Sequence, residues 1–294
     1  MHTAIKFNLL LENEKLKTYP RIALQSDAIK KSFGHGLMLP STSTDKPFIF
    51  SCFALSLDGK ICYPDTHTGL DIARANKHAN LTEKQADWFF LMMARSISDA
   101  IIFSSNIFKK KSNRNKPSIA IKDFQNDRKL NNKPQNITPI IFCRNINTID
   151  FHHEMLQNEN QPFFIFHNKK DLNLDNLPSW NQQSLSNFNN TTQKIKHLLY
   201  LDIPFSDIFS KLNSCGYEII LNESSFFHHK LLEEKLLNEF WLNYSCSYIG
   251  GNALSLGKEQ TSFTTTNHPD TEILALYNIN YNFLYSRQLI RYDN

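Results

Sequence analysis

The stretch FIFSCFALSLDGKI, residues 48–61, constrains the fold more than any other part of the chain. Its first half is a nearly unbroken apolar run, and it ends abruptly in a small polar turn. A short apolar run bounded by turn residues is typical of a strand buried on both faces, as in parallel sheets. Ligands bind at the carboxyl ends of such strands in open α/β sheets. We therefore expect Ser56, Asp58 and Lys60 to lie at a ligand site. The alternative is that Asp58 and Gly59 only make the turn.

Size and composition indicate a globular protein without a membrane span. The chain has 294 residues, enough for one large domain or two small ones, and 41% of them are hydrophobic, which argues against global disorder. Its apolar runs fall well short of the roughly 20 residues that a membrane helix needs. The first residues, MHTAIKFNLLLENEK, lack the basic start and the long apolar core of a signal peptide. We therefore expect a cytoplasmic protein that does not bind a membrane.

Cysteine usage and charge argue against further classes of protein. The five cysteines are an odd number, are widely spread and form no C-x-x-C pair, so we expect reduced thiols and neither a disulfide framework nor a metal site. The net charge of +4 comes from basic residues scattered among acidic ones, which argues against nucleic-acid binding. Only eight glycines are present, so few positions let the backbone approach a phosphate closely.

After the opening strand, the apolar pattern predicts strands linked by helices. A T-x-x-Q capping box at Thr82 and Gln85 starts a helix that runs to Ile97, and a strand follows at residues 99–103. A strand, a helix and a strand in this order are typical of a right-handed parallel unit. Further strands are predicted at residues 118–121, 138–143, 162–166, 197–201 and 217–221, helices at 152–158, 205–212 and 224–237, and loops at 123–133 and 168–193.

The two ends of the chain differ from this central part. Residues 1–46 are predicted to form an N-terminal extension and linker, with a helix at 26–33 that Gly34 ends. Apolar and polar residues alternate in residues 240–249, 272–284 and 285–292. This alternation is typical of antiparallel strands with one exposed face. Residues 47–294 are therefore predicted to form an α/β domain, with a mostly parallel sheet finished by antiparallel C-terminal edge strands.

Four motifs along residues 47–290 match those of one known family. They are S-L-D-G-K at residues 56–60, R-x-x-x-D-A-I at 95–101, E-S-S in place of E-G-G at 223–225, and N-E-F followed by a G-G pair at 238–240 and 250–251. Together with the order of the elements, they resemble the reductase domain of riboflavin biosynthesis, which is the C-terminal half of a bifunctional pyrimidine deaminase/reductase. The resemblance implies a dihydrofolate-reductase-like, three-layer α/β sandwich. The paired H-x-E and P-C-x-x-C zinc signature of the deaminase half is not found.

The same resemblance implies an activity and a set of site residues. The activity is the NADPH-dependent reduction of a ribosylamino-pyrimidine or a similar heterocycle such as a pteridine, with hydride passing to the sugar carbon, in a homodimer. Asp58 and Glu223 would be the catalytic carboxylates, and Ser56, Lys60 and Arg95 would bind the substrate. The cofactor would contact Ser104, Ser105, Asn106, Ile107, Lys109, Ser224, Ser225, Gly250 and Gly251.

Several of these side chains also have a simpler explanation. Glu223 could be a charge that favours the positive end of a helix dipole. Arg95 could form an ion pair on its helix, and Lys60 could be solvated. The basic run Lys109–Lys111 could bind a cofactor phosphate or form a solvated loop.

Three departures from the family pattern bear on the function. Ser104–Ile107 replaces G-x-x-T, Ser224 and Ser225 replace two glycines, and Cys52 replaces a basic residue. Glycines let the amides of a helix N-terminus meet a pyrophosphate, whereas serine hydroxyls can cap the helix or donate to a phosphate. An NADPH-dependent reductase is therefore the first hypothesis. The alternative is a non-catalytic binding or assembly protein that kept the fold and lost the dinucleotide site. A third hypothesis is an enzyme of non-redox chemistry.

Overall fold

The structure is a computed structural model that describes residues 5–41, 45–66, 68–105, 108, 118–168, 180–188, 196–257 and 261–292. Its strands are β1 (Asn8–Glu12), β2 (Arg21–Leu24), β3 (Leu37–Leu39), β4 (Phe48–Ser56), β5 (Ala100–Ser104), β6 (Thr138–Cys143), β7 (Phe163–His167), β8 (Trp180–Ser184), β9 (Lys196–Tyr200), β10 (Ile219–Asn222), β11 (Glu239–Ser245), β12 (Asp270–Ile279) and β13 (Phe283–Arg291). Its helices are α1 (Asp27–Phe33), α2 (Asp71–Arg74), α3 (Leu81–Ile97), α4 (Lys122–Leu130), α5 (Glu154–Gln157), α6 (Phe205–Ser214) and α7 (Ser225–Glu233).

Within these residues, eleven strands form one sheet in the order β1-β12-β13-β11-β4-β10-β5-β6-β7-β9-β8. Every neighbouring pair from β11 to β8 is parallel, whereas β1, β12, β13 and β11 pair antiparallel. Strands β2 and β3 form a separate antiparallel pair. The predicted α/β class, with a mostly parallel sheet and antiparallel C-terminal strands, is confirmed.

Helices cover both faces of the sheet and make three layers. On one face, the Phe90 ring of α3 packs 5.8 Å from the Trp241 ring of β11. On the other face, Phe209 of α6 and Leu231 of α7 are fully buried in one cluster with Ile220 of β10. Burying an apolar side chain of this size stabilises the fold by about 1.5–3 kcal/mol.

Helix α3 is present as predicted, but a different capping box starts it. Asn80 Oδ1 accepts the Glu83 N–H at 3.0 Å, and the Glu83 carboxylate accepts the Asn80 N–H at 2.6 Å. The predicted box at Thr82 and Gln85 is therefore wrong. The two candidate capping boxes begin two residues apart, and both match the sequence pattern of a capping box. Asn282 Nδ2 also donates to the second carboxylate oxygen of Glu83, at 2.9 Å.

Between β5 and β6 the prediction is wrong in two places. Residues 118–121 form no strand, and most of the predicted loop at 123–133 is helix α4. Phe124 and Arg128 anchor this polar helix, since both are buried. Arg128 Nη1 donates to the Ser98 carbonyl at 2.6 Å, so a charged residue supports the helix from within the protein.

The predicted loop at residues 168–193 contains a strand, β8, which pairs in parallel with β9. Trp180 begins this strand and is buried, with its ring 5.6 Å from the Phe151 ring. Residues 169–179 and 189–195 lie outside the described ranges. The other predicted strands and helices are present with shifted ends.

The N-terminal segment, residues 1–46, supplies a helix and an edge strand. Helix α1 is confirmed, with Ser26 as its N-terminal cap and Gly34 at φ +82° as its end. Strand β1 pairs antiparallel with β12, and the Phe7 ring lies 4.9 Å from the Tyr285 ring. The boundary between this segment and the main domain stays a prediction.

Candidate functional site

An opening at the carboxyl edge of the sheet lies among the predicted site residues. Strand β10 ends at Asn222 beside Ser51 of β4, whereas β4 continues next to β11 as far as Ser56. Residues 52–56 thus extend about 16 Å beyond the end of β10. We call the resulting gap between β4 and β5 the notch. Ala54, on its β4 wall, is half-exposed although β4 is a central strand.

The turn after β4 is held by its own polar groups. Ser56 is fully buried. Its Oγ donates to Asp58 Oδ1 at 2.7 Å and accepts the Lys60 N–H at 2.9 Å. The Asp58 carboxylate also accepts the N–H of Ile249 at 3.1 Å and that of Gly250 at 2.7 Å. Asp58 therefore joins this turn to the loop after β11, and both of its oxygens are engaged within the chain.

These hydrogen bonds hold Asp58 in its ionised form. Burial alone would raise its pKa, but the hydrogen bonds from Ser56, Ile249 and Gly250 outweigh burial and lower the pKa to about 2. A general acid needs a pKa near the working pH. Asp58 can therefore orient a polar ligand group, but it is unsuited to proton donation near neutral pH.

Lys60 and the glycine pair complete the contact between turn and loop. Lys60 Nζ donates to the Gly251 carbonyl at 3.1 Å. Gly250 and Gly251 have φ values of +74° and +57°, in the left-handed region that favours glycine. The structure thus brings Lys60 and both glycines to the turn that holds Asp58. Their contacts with a substrate or a cofactor stay predictions.

Arg95 and Glu223 form one buried ion pair. Arg95 Nε and Nη2 donate to the two carboxylate oxygens of Glu223, each at 2.7 Å. The side chains are 4% and 12% exposed. Arg95 Nη1 also donates to the Ser118 carbonyl at 3.3 Å. Helix α3 is therefore tied to the end of β10, and Glu223 has a fixed orientation at the base of the notch.

Two groups of predicted residues therefore lie at different depths. Glu223 follows β10 near the level of Ser51, and Asp58 follows β4 beyond Ser56. The separation along the strand direction is about 16 Å. The two carboxylates therefore lie near opposite ends of residues 52–56 of β4.

Helix α7 begins at the base of the notch, at the two serines that replace glycines. Ser224 Oγ accepts the Phe227 N–H at 3.4 Å, and the Ser224 N–H donates to Asn222 Oδ1 at 3.1 Å. The N–H groups of Ser225 and Phe226 have no acceptor within the helix, since they lie in its first turn. Ser224 therefore caps the helix, and two backbone donors point out of its N-terminus.

Arg144 follows β6 at the same edge of the sheet and lies beside the start of α7. Its guanidinium carbon is 4.6 Å from the centroid of the Phe226 ring. A helix N-terminus attracts anions, and a neighbouring guanidinium adds a full positive charge. Arg144 was not predicted as a site residue. The sequence feature that could have identified it is a basic residue directly after an apolar strand.

The predicted cofactor residues after β5 are only partly described. Ser104 ends β5, and Ser105 follows in a short 3-10 turn; both are half-buried. Asn106, Ile107 and Lys109 lie outside the described residues. Their contacts with a cofactor stay predictions.

A further carboxylate, Asp87 of α3, lies beside β11. Asn243 Nδ2 donates to Asp87 Oδ1 at 2.7 Å, and Asn243 is the β11 neighbour of Ala54. Burial raises the pKa of Asp87 to about 6, although the hydrogen bond from Asn243 and the charge of Arg74 act to lower it. Asp87 and Asn243 were missed in the sequence; each is a single polar residue inside an apolar run.

Cys52 of β4 lies near the carboxylates of both Asp87 and Glu223. Burial raises the pKa of its thiol, and the charges of Glu223 and Asp87 raise it further, while Arg95 acts in the opposite direction. The thiol is therefore neutral near neutral pH. Asp87 and Glu223 thus both lie within electrostatic reach of Cys52.

Within the described ranges, no group of three or more His, Cys, Asp or Glu side chains could hold a metal ion. No described helix is long and apolar enough to cross a membrane. None of the five cysteines forms a disulfide. The cytoplasmic location stays a prediction.

Comparisons with known proteins establish the fold. No family model matches the chain, and no curated protein matches its sequence. The structure is similar to a pyrimidine reductase-like protein of Corynebacterium diphtheriae, with a TM-score of 0.60 and 15% identity over 87% of this chain and 96% of that chain.

Two longer proteins share the fold. A diaminohydroxyphosphoribosylaminopyrimidine deaminase/5-amino-6-(5-phosphoribosylamino)uracil reductase of Thermotoga maritima gives a TM-score of 0.57 at 13% identity, over 83% of this chain and 56% of that one. RibD of Acinetobacter baumannii gives 0.57 at 14% identity, over 84% and 59%. This chain thus spans between half and two thirds of their length. The dihydrofolate-reductase-like, three-layer α/β fold that the sequence resemblance implies is confirmed.

Proposed function

We propose that the protein is an NADPH-dependent reductase that acts on a pyrimidine, a pteridine or a similar heterocycle. The notch carries this proposal, because it joins a wall with carboxylates to the positively charged start of α7. It opens at the carboxyl edge of the sheet, where open α/β sheets bind their ligands. Solved structures named as pyrimidine reductases share the fold, which supports the reaction class by analogy.

The start of α7 suits the pyrophosphate of NADPH. The N–H groups of Ser225 and Phe226 would donate to it, and Arg144 would balance its charge. Ser224 caps the helix and thereby occupies the Phe227 N–H, so one first-turn donor is already used. The bound cofactor would supply the hydride, and the protein would supply position and charge.

The β4 wall would hold the substrate against the cofactor. Glu223 presents a carboxylate whose orientation Arg95 fixes, and Asp58 presents a second one at the far end of the notch. Hydride transfer depends on holding two reactants in a reactive geometry, which rigid groups favour. Ser56 is fully buried, so its contribution would be to orient Asp58 rather than to touch the substrate.

Titration of the purified protein with NADPH, followed by nicotinamide fluorescence, tests this proposal. We expect saturable binding, and we expect Arg144→Gln to weaken it roughly tenfold because a charge-assisted hydrogen bond is lost. Changing Ser224 and Ser225 to glycine should tighten binding, since the capped N–H of Phe227 becomes available. Lys129→Gln, at an exposed lysine of α4, is the matched control and should leave the affinity unchanged.

The same titration decides between the two main hypotheses. An absence of binding at millimolar NADPH contradicts the reductase and supports the non-catalytic binding or assembly protein. Binding that is insensitive to Arg144→Gln would keep the reductase but remove the start of α7 as its phosphate site.

A further inference from the structure

A cavity of about 410 Å³ lies beneath the N-terminal segment, on the face of the sheet that α3 covers. Phe90 and Met93 of α3 and Tyr277 of β12 line one side of it, and Ile29 of α1 and Leu37 of β3 line the other. These five side chains are at most 7% exposed. Small-molecule sites are mostly apolar cavities of roughly 300–1,000 Å³. The cavity thus has the size and the lining of such a site.

This cavity is separate from the notch. Arg287 of β13 lines it and lies opposite Trp241 of β11, which in turn lies opposite Cys52 of β4. Neighbouring strands are about 4.8 Å apart, so this wall of the cavity lies about 10 Å from β4. None of the described residues that we place at the notch lines the cavity. A ligand bound here would therefore leave the notch open.

Hydrogen-bond acceptors meet at the mouth of the cavity, where Glu12 and His35 are 29% and 41% exposed. His35 Nδ1 lies 2.7 Å from the Gly36 carbonyl, which can only accept, so Nδ1 carries the proton. In the neutral ring, Nε2 is then an acceptor. It lies 3.6 Å from Glu12 Oε2 and 3.5 Å from the Tyr277 hydroxyl oxygen, at the outer limit of a hydrogen bond. All three groups thus retain capacity to accept from a ligand.

The charges that line the cavity favour a cation. Lys17 Nζ donates to Glu14 Oε1 at 2.8 Å, and the Arg287 guanidinium donates to the Glu239 carboxylate at 2.9–3.0 Å. Both basic groups are therefore balanced by an acidic partner. Glu12 has no lysine or arginine partner among the described residues, so its negative charge is left over. A ligand with one positive charge would neutralise it.

An arylalkylamine combines the two properties that the cavity calls for. Its ammonium group carries a charge and three donors, which suit the Glu12 carboxylate, His35 Nε2 and the Tyr277 hydroxyl oxygen. Its ring suits the apolar interior. The Phe33 ring lies 5.2 Å from the Tyr277 ring and also lines the cavity, and aromatic rings attract a nearby cation. An anionic ligand would instead meet the charge of Glu12.

We propose that this cavity binds a small arylalkylamine, with the aromatic ring inside and the ammonium group at the mouth beside Glu12. The site lies outside the notch and does not depend on the proposed reductase activity. Its specificity comes from charge at the mouth, whereas the apolar interior supplies affinity for any ring of similar size.

Three indoles that differ in charge test this site by ligand-observed NMR. Tryptamine is the cationic probe, indole-3-ethanol the neutral one and indole-3-acetate the anionic one. The natural chain should bind tryptamine at least roughly tenfold more tightly than indole-3-ethanol, because only the amine forms a charge-assisted hydrogen bond. Glu12→Gln should remove this preference by weakening tryptamine binding alone. Glu159→Gln, the same change at an exposed residue that does not line the cavity, is the control and should keep the preference.

The methionine methyl groups show where the amine binds. Met38 and Met93 line the cavity, whereas Met155 lies in α5 and does not. In the natural chain labelled with methyl-13C methionine, tryptamine should shift the Met38 and Met93 signals and leave the Met155 signal in place. This measurement needs no variant, so it holds even if Glu12→Gln fails to fold.

Each contrary result overturns the inference. Equal binding of the three indoles contradicts a site selective for a cation, and so does a preference that survives Glu12→Gln. Tryptamine binding that leaves both Met38 and Met93 unshifted places the amine elsewhere, and an absence of binding at millimolar tryptamine removes the site altogether. These results leave NADPH binding, and with it the proposed function, to its own titration.

Discussion

Arg95 and Glu223 meet through two hydrogen bonds in a part of the protein that is largely closed to water. Changing Arg95 to methionine leaves a buried carboxylate without its partner, and we expect a loss of about 3–5 kcal/mol in the free energy of unfolding. Changing both residues to methionine should restore most of this loss, because apolar residues of similar volume often replace a buried ion pair at little cost. Urea unfolding of the three chains measures the difference.

An exposed ion pair of the same protein gives the matched control. Arg21 Nη1 lies 3.1 Å from Glu218 Oε2, and the two side chains are 36% and 50% exposed. Arg21→Met should therefore cost less than about 1 kcal/mol. If Arg95→Met proves equally mild, the Arg95–Glu223 pair is not closed to water in solution.

The sequence predicted several site residues but not their partners. Asp58 was expected at the end of a buried strand, yet its bonds to Ile249 and Gly250 depend on β11 lying beside β4. Arg95 and Glu223 are 128 positions apart and meet only because β10 inserts between β4 and β5. No spacing along the chain encodes such a contact.

At the scale of single elements, helix α3 offers a comparison between two caps. Asn80→Ala removes the side chain that accepts the Glu83 N–H, and we expect it to cost about 1 kcal/mol. Thr82→Ala changes the residue that the sequence pattern favoured, but Thr82 lies inside the helix, so we expect a change of only a few tenths of a kcal/mol. The midpoint of urea unfolding, at an unchanged slope, measures both.

The result for Glu83 completes this test. Its carboxylate accepts both the Asn80 N–H and Asn282 Nδ2, so Glu83→Gln should weaken the helix start without abolishing it. A larger loss in Thr82→Ala than in Asn80→Ala would instead support the box that the sequence pattern predicted.

Elements with a strong apolar pattern were predicted well, and polar ones were not. Strand β4 was expected from its unbroken apolar run, and it is buried as expected. Helix α4 was predicted as a loop because asparagine and charge dominate its sequence. It is a helix because Phe124 and Arg128 are buried by the rest of the fold. Tertiary packing overrides weak local preference at such positions.

For the whole molecule, the order of the elements predicted the α/β class but not the position of every strand. Apolar strands linked by helices indicated a parallel sheet, and the alternating C-terminal segments indicated antiparallel strands at its edge. Both predictions are confirmed. Strand β1, in contrast, comes from a segment without clear periodicity. It forms the edge of the sheet because it pairs with β12, whose edge is otherwise unpaired. Such pairing depends on the complete sheet and leaves no local signal.

This edge bears on the homodimer that the family resemblance implies. Leu9, Leu10 and Leu11 of β1 are 47%, 54% and 46% exposed, and β1 has a single neighbouring strand in the described sheet. Proteins usually protect such an edge with charge, proline or a covering segment. We propose that two copies pair through β1, because an antiparallel pair centred on Leu10 would set Leu10 opposite Leu10 and Leu9 opposite Leu11.

Replacing Leu10 with lysine tests this pairing directly. A lysine at the centre would face its own copy, and like charges directly opposite each other in an antiparallel pair are destabilising. We therefore expect sedimentation to show a dimer for the natural chain and a monomer for Leu10→Lys at the same concentration. Leu130→Lys, at the 80% exposed end of α4, is the control and should stay dimeric. A natural chain that sediments as a monomer, or a Leu10→Lys chain that stays dimeric, contradicts pairing through β1.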